Sequence, residues 1–214
     1  MTFSNPSKLP IVVIGAGASG IYFSNKLGKF KEILLLESGP LKSFIENDKR
    51  NNYKTTQKRP YRCGHIGRVR GFGGATNIWG GQMLPFDENT FSSEKGWPIL
   101  FSELKPFYES VSKILLDEPL SFEIKKFVNN KIYSKLSLHR SFYIHISKWI
   151  SNPIFKLTIG KHLPSKVKLL EEITVIGIEP NSDGNYNIHC KDGNLKKLVI
   201  KASNVVISTG TIET

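Results

Sequence analysis

Three glycines and one acid carry the clearest chemical signal in this chain. Gly15, Gly17 and Gly20 form a Gly-x-Gly-x-x-Gly pattern, and Glu37 stands 17 residues after Gly20. Each glycine has a separate task. Gly15 permits a tight turn, Gly17 lets the backbone approach a diphosphate, and Gly20 lets a helix pack closely on a strand. Ala16 and Ser19 lie in the same turn and share the cradle. The diphosphate then faces unpaired N–H groups at a helix N-terminus, where the macrodipole favours an anion. Glu37 is placed to accept hydrogen bonds from the hydroxyls of an adenosine ribose. The chemistry on offer is the holding of a dinucleotide.

A second constellation runs Gly71-Phe72-Gly73-Gly74-Ala75-Thr76-Asn77-Ile78-Trp79-Gly80-Gly81-Gln82, with six glycines between Gly67 and Gly81. It is too rich in glycine for an element of a packed core. Paired glycines expose backbone N–H groups and let a flat ligand reach the main chain. Thr76 and Asn77 add donors and acceptors, and Trp79 an aromatic wall. The segment suits one edge of a flavin ring or the inner part of its pyrophosphate. The alternative is a glycine-rich surface loop.

These residues need elements to position them. Ile11–Ile14 and Glu32–Leu36 read as near-continuous apolar strands, the pattern of a sheet buried on both faces. Ile21–Leu27 continues the glycine turn as a helix. Residues 41–60 are polar and aperiodic and read as an exposed loop. Ser102 is expected to cap a helix whose apolar face is Leu104, Phe107, Tyr108, Val111, Ile114 and Leu115. Residues 118–164 are aromatic and basic, and Phe142, Tyr143, Ile144, Ile146, Trp149 and Ile150 are expected to be half-buried. From Lys166 the texture turns to β. Val167–Leu170, Ile173–Ile178, Tyr186–Cys190 and Leu198–Ile200 read as an antiparallel meander, with turns at Asn181–Gly184 and Lys191–Asn194. A final buried strand, Asn204–Ser208, ends at Thr209-Gly210.

This order predicts an α/β fold: a Rossmann-like FAD/NAD(P)-binding domain with a parallel sheet, an antiparallel β-meander crossover and a mostly helical or irregular insertion. Residues 9–85 form the first part of the dinucleotide domain, 86–165 the insertion, which contributes to a cap or substrate region, and 166–214 the meander and last strand.

The 214 residues suffice for one proper core. No apolar run is long enough to span a bilayer, and the first eight residues do not read as a signal peptide, so a cytoplasmic location is expected. Cys63 and Cys190 are far apart and form no Cys-x-x-Cys motif, which argues against a disulfide framework or a zinc site. The formal charge is +12. Leu41–Arg70 holds nine Lys/Arg against Glu46 and Asp48, and Ser121–Leu170 holds ten against Glu123. Either an anionic partner or a solvated lysine-rich surface accounts for this. No nucleic-acid-binding motif is present, and no nucleic-acid partner is expected.

The set Gly15-x-Gly17-x-x-Gly20, Glu37, Gly73-Gly74-x-Thr76-Asn77-x-Trp79-Gly80-Gly81, Gly96-Trp97-Pro98-Ile99 and Val206–Glu213 resembles the glucose-methanol-choline oxidoreductase family. The likeness is closest to its sugar-dehydrogenase and pyranose-oxidase branch. The resemblance implies an FAD-dependent oxidoreductase acting on CH–OH groups of a sugar or other alcohol. It implies that Gly15, Ala16, Gly17, Ser19 and Gly20 hold the FAD pyrophosphate and Glu37 the adenosine ribose. Gly73, Gly74, Thr76 and Asn77 line the flavin side, Val175 meets the adenine through its backbone, and Thr209 and Gly210 return beside the first turn. Where the pyranose oxidases have a histidine joined to flavin, this chain has Ile78, so the FAD is expected to be non-covalent. The family's catalytic histidine lies in a C-terminal region with no counterpart here. None of the five histidines matches it, no catalytic residue is assigned, and the substrate domain is expected to be missing. The resemblance leaves the electron acceptor open and allows a partner subunit or a separately encoded C-terminal half. A catalytically incomplete FAD-binding piece is the alternative.

Overall fold

A computed structural model describes residues 9–46, 48–52, 67–86, 88–91, 96–116 and 147–214. Cys63, His65, His139, His145, Phe142–Ile146, part of the expected 41–60 loop and most of the expected 118–164 insertion lie outside the described residues. The chain divides into two compact units, Met1–Trp79 with Asn152–Thr214, and Gly80–Ser151.

In the first unit, strand β1 (Ile11–Ile14) is the centre of a four-stranded parallel sheet. It pairs with β2 (Ile33–Leu36) on one side and β9 (Asn204–Ile207) on the other, with Ile14 opposite both Leu36 and Ile207. Strand β5 (Val167–Leu170) completes the sheet beyond β2. This corrects the sequence reading, which grouped Val167–Leu170 with the meander. Four residues of apolar sequence cannot by themselves distinguish a parallel edge strand from a hairpin strand.

The unbroken apolar character of β1 and β2 is explained by what covers them. Val13, Ile33 and Leu35 face helix α1 (Ala18–Leu27), with Phe23 and Leu27 packed against them. Val12, Ile14, Leu34 and Leu36 face the other way, onto Ile188, Cys190 and Ala202 of a three-stranded antiparallel meander. The meander consists of β6 (Thr174–Pro180), β7 (Tyr186–Lys191) and β8 (Lys197–Ala202), joined at the two turns expected from sequence. Each fully buried Val, Leu or Ile stabilises the layering by about 1.5–3 kcal/mol relative to exposure. The Cys190 thiol is buried there, and burial raises its pKa to about 11, so it behaves as a small core hydrophobe.

In the second unit, β3 (Gln82–Met83) pairs antiparallel with β4 (Lys148–Trp149). Helix α2 spans Phe101–Leu116. Ser102 lies inside it. The capping contact instead comes from Glu103, whose Oε2 accepts the Leu100 N–H at 2.7 Å. Leu104, Tyr108, Val111 and Leu115 are partly buried with Ser112 fully so, whereas Phe107 and Ile114 are exposed. The sheltered stripe is therefore narrower than the six-residue face that the spacing suggests. Trp149 is exposed and Ile150 buried, so neither is half-buried. No helix among the described residues is long and apolar enough to cross a membrane.

Candidate functional site

The first glycine turn lies where β1 gives way to α1, at the carboxyl edge of the parallel sheet. Gly15 has φ +96°, a left-handed conformation that favours glycine, and a Cβ there would lie 2.6 Å from the Ser208 carbonyl oxygen. A Cβ on Gly20 would lie 2.0 Å from the Gly15 oxygen, so the helix crosses the turn at a distance only glycine permits. Gly17 differs from both. Its φ of −79° suits any residue, and a Cβ there would meet nothing within 4 Å. The backbone does not require glycine at this position. What the missing side chain leaves is open space in front of the helix N-terminus.

That terminus is uncapped. Gly17 is the N-cap residue and has no side chain to donate to, and no acid stands in the first turn. The first amides of α1 lack intrahelical partners and face a cleft of about 1170 Å³. This exceeds the roughly 300–1,000 Å³ of a pocket for a drug-sized ligand and leaves room for a dinucleotide. Gly15, Gly17, Ser19, Gly74, Thr76 and Glu37 all line it. Val175, Thr209 and Gly210 line it as well, Thr209 directly beside Gly15. A β-bulge between Val175 and Gly177 takes Ile176 out of the ladder and leaves it exposed beside the cleft.

Glu37 is 5% exposed and its carboxylate is heavily used. Oε2 accepts the Ala16 N–H at 3.0 Å, and Oε1 accepts those of Gly39 at 2.9 Å and Gly71 at 3.0 Å. The residue read as a ribose acceptor is thus also a fastening between the two glycine segments. A carboxylate has about four acceptor positions, so Oε2 keeps one for a ribose hydroxyl. Burial pushes the Glu37 carboxyl above its ordinary range. The N–H groups of Gly39, Ala16 and Gly71, and the charge of Arg70, pull the other way without cancelling it.

The second glycine segment packs beneath the first. The Gly73 N–H donates to the Ala16 oxygen at 2.9 Å, and a Cβ on Gly74 would lie 2.9 Å from Gly17 Cα. Both backbone polar groups of Ala16 are therefore taken, by Glu37 and by Gly73. Residues Gly74–Asn77 form a short 3-10 helix. The Thr76 hydroxyl donates to the Gly73 oxygen at 2.6 Å and accepts the Phe155 N–H at 3.2 Å. Asn77 donates through Nδ2 to the Phe72 and Gly74 oxygens. Trp79 does not wall the cleft: its Nε1 donates to the Pro153 oxygen at 2.8 Å and its ring meets Phe155 edge-on. Ala16, Gly20, Gly73 and Asn77 do not line the cleft.

Four contributors escaped the sequence reading. Ser208, at the end of β9, shares its hydroxyl proton between the Ile14 and Gly15 oxygens, both at 2.8 Å, and straps the turn from the side. Arg50, Arg68 and Arg70 line the Glu37 end of the cleft. The signal for two of them was the Arg68-x-Arg70 spacing, which puts both on one side of an extended segment. Neither described histidine belongs to the site. His162 is exposed, and His189 pairs with Glu179 at 3.1 Å on the meander. No group of three metal-ligating side chains occurs among the described residues.

No family model matches the chain, and no curated protein matches it. Solved structures do. Pyridoxine 4-oxidase from Mesorbium loti aligns with TM-score 0.61 and 15% identity over 95% of this chain and 50% of its own. A fungal aryl-alcohol oxidase gives TM-score 0.61 and 13% identity, covering 98% and 47%. Formate oxidase gives 0.57 and 15%, covering 95% and 45%. The chain shares their fold. It spans about half the length of each of these proteins.

Proposed function

We propose that this chain is the cofactor-binding, N-terminal portion of an FAD-dependent oxidoreductase of the glucose-methanol-choline type, acting on the CH–OH group of a sugar or other alcohol. One observation carries the reading: Gly17, required neither by its backbone angles nor by packing, opens the N-terminus of α1 onto the cleft. An anion is what such a terminus attracts. Glu37 beside it supplies the acceptor for a ribose, and the volume of the cleft favours a dinucleotide over a single nucleotide. The second glycine segment, locked against the first, favours FAD over NAD, because a lone nicotinamide-type turn needs no such companion. The three structural neighbours are oxidases by name, which supports the same class.

FAD would supply the hydride acceptor. The chain's own groups bind and orient it: the α1 amides and Ser19 at the diphosphate, Glu37 Oε2 at the ribose, Val175 at the adenine, and Gly74 and Thr76 further along. Ile78 offers no atom for a covalent link, so retention is non-covalent. A second reading has an observation in its favour. Among the described residues neither histidine, His162 nor His189, lines the cleft, which favours an FAD-binding piece without turnover of its own.

Purification of the chain, followed by denaturation and chromatography of what is released, tests the cofactor. FAD in near-equal amount to protein is expected. Released NAD without flavin would overturn the assignment.

A further inference from the structure

The Glu37 end of the cleft holds two arginines that the glycine-turn chemistry does not use. The Arg70 side chain is 13% exposed and held from several sides. Its Nε donates to Asn51 Oδ1 at 2.9 Å, Nη1 to Ser38 Oγ at 3.0 Å, and Nη2 to Glu213 Oε1 at 2.9 Å. Arg68, 18% exposed, donates through Nη1 to the Asn51 carbonyl at 2.8 Å and through Nη2 to the same Glu213 oxygen. Asn51 returns a bond from Nδ2 to the Arg68 carbonyl at 2.9 Å. The two guanidinium groups are thereby fixed in place before Glu213 meets them.

Glu213 belongs to the turn that follows Gly210. Its N–H and that of Thr214 both donate to the Gly210 oxygen, and the Thr209 and Thr214 hydroxyls meet at 2.9 Å. The last backbone tie of this stretch to the sheet is the Ser208 N–H on the Ile14 oxygen. Thr209 and Gly210 thus lie between that tie and the Glu213 carboxylate. An ion pair whose cations are this far withdrawn from water is screened less than a surface pair and has more positional force. Arg50 is occupied elsewhere, by Asp48 at 2.6 Å, which leaves Arg68 and Arg70 to Glu213.

We propose that Arg68, Arg70 and Glu213 form a clasp that positions the Thr209–Thr214 turn against the cleft and thereby sets how tightly the dinucleotide is held. The effect on affinity rests on the FAD reading; the hold on the turn does not. Glu213 is a positioning residue in this scheme.

The test is Glu213→Gln in the full chain, which keeps size and removes charge. The dissociation constant for FAD, read by quenching of flavin fluorescence, is expected to rise about tenfold, or about 1.4 kcal/mol. Amide hydrogen exchange at residues 209–214 is expected to quicken while β1 and β2 keep their protection. Arg68→Gln added to Glu213→Gln should cost little more than Glu213→Gln alone, as coupled partners do. An affinity within twofold of the parent, unchanged exchange at 209–214, or exchange quickened equally across β1 and β2 each overturns the clasp as the determinant of affinity. If the parent chain binds no FAD, it is the FAD reading that fails, and exchange at 209–214 alone decides whether the clasp holds the turn.

Discussion

Two glycine-rich segments meet at this site and use glycine for opposite ends. In Gly15–Gly20 one glycine, Gly17, faces empty space, and the helix behind it offers unpaired amides to whatever enters. In Gly71–Gly81 the glycines serve contact between chain segments: Gly74 lies on Gly17, and Gly73 donates to Ala16. The polar residues of the second segment follow suit. Thr76 and Asn77 spend their donors on neighbouring carbonyls, and Trp79 spends its own on Pro153. The difference teaches that glycine density does not by itself mark a ligand surface. The informative quantity is what a Cβ would meet.

Substitutions separate the two uses of glycine, with effects on stability that fall from the first to the last. Gly20→Ala should be the most damaging. Alanine gains up to about 1 kcal/mol of helix propensity, but its Cβ would sit 2.0 Å from the Gly15 oxygen, an overpacking worth about 3 kcal/mol or more. A thermal melt that matched the parent would show that the helix does not cross the turn as described. Glu37→Gln comes next. Its NH₂ must face either the Ala16 N–H or the pair from Gly39 and Gly71, leaving donor against donor, at about 1–3 kcal/mol by denaturant unfolding. Gly74→Ala should cost about 1–2 kcal/mol through its φ of +54° and its approach to Gly17, and should weaken FAD binding with it.

Gly17→Val sharpens the contrast. Its stability should fall by no more than about 1 kcal/mol, the cost of an apolar N-cap, because the added atoms enter open space, yet flavin retention should vanish. Full occupancy in that variant would falsify the placement of the diphosphate. The smallest effect concerns pH. Arg50 holds the Asp48 carboxyl below its ordinary 3.8, so this pair contributes stability above pH 3.8 that is lost as the pH falls, at about 0.2–1 kcal/mol for a pair on the surface. Glu37 works in the opposite sense. Its raised value means the folded state takes up a proton first, so its contribution declines as pH rises above 4.5. A pH series of melts on Asp48→Asn and Glu37→Gln separates the two trends; parallel trends in both variants would contradict these signs.

Much of the architecture was legible in the sequence because it rests on local pattern. Strands β1 and β2 announced themselves by unbroken apolar runs, and the meander by alternation between two turn sequences. The placement of Val167–Leu170 was not legible, since a strand's partner is chosen by which edge is free and not by its own four residues. Likewise Glu103, not Ser102, reaches the N-terminus of α2, a choice between two adjacent capable side chains that depends on where the helix begins. In the site, the roles of Gly15 and Gly20 follow from their spacing and the packing agrees. Ala16 was read as part of the cradle, yet its N–H is taken by Glu37. Spacing locates an amide near a ligand but does not say which neighbour claims it.

By itself the sequence determined a parallel sheet buried on both faces, a glycine turn leading into a helix, and an acid at the end of the second strand. These follow from side-chain volume, periodicity and the absence of Cβ atoms, all properties of short stretches. Only the tertiary structure decided that Glu37 ties Ala16 to Gly71, that Ser208 straps Gly15, and that Arg68 and Arg70 converge on Glu213. Those contacts join residues that are 21 to 193 positions apart, and a hydrogen bond or ion pair of that span exists only once the sheet has set the register of β1, β2 and β9.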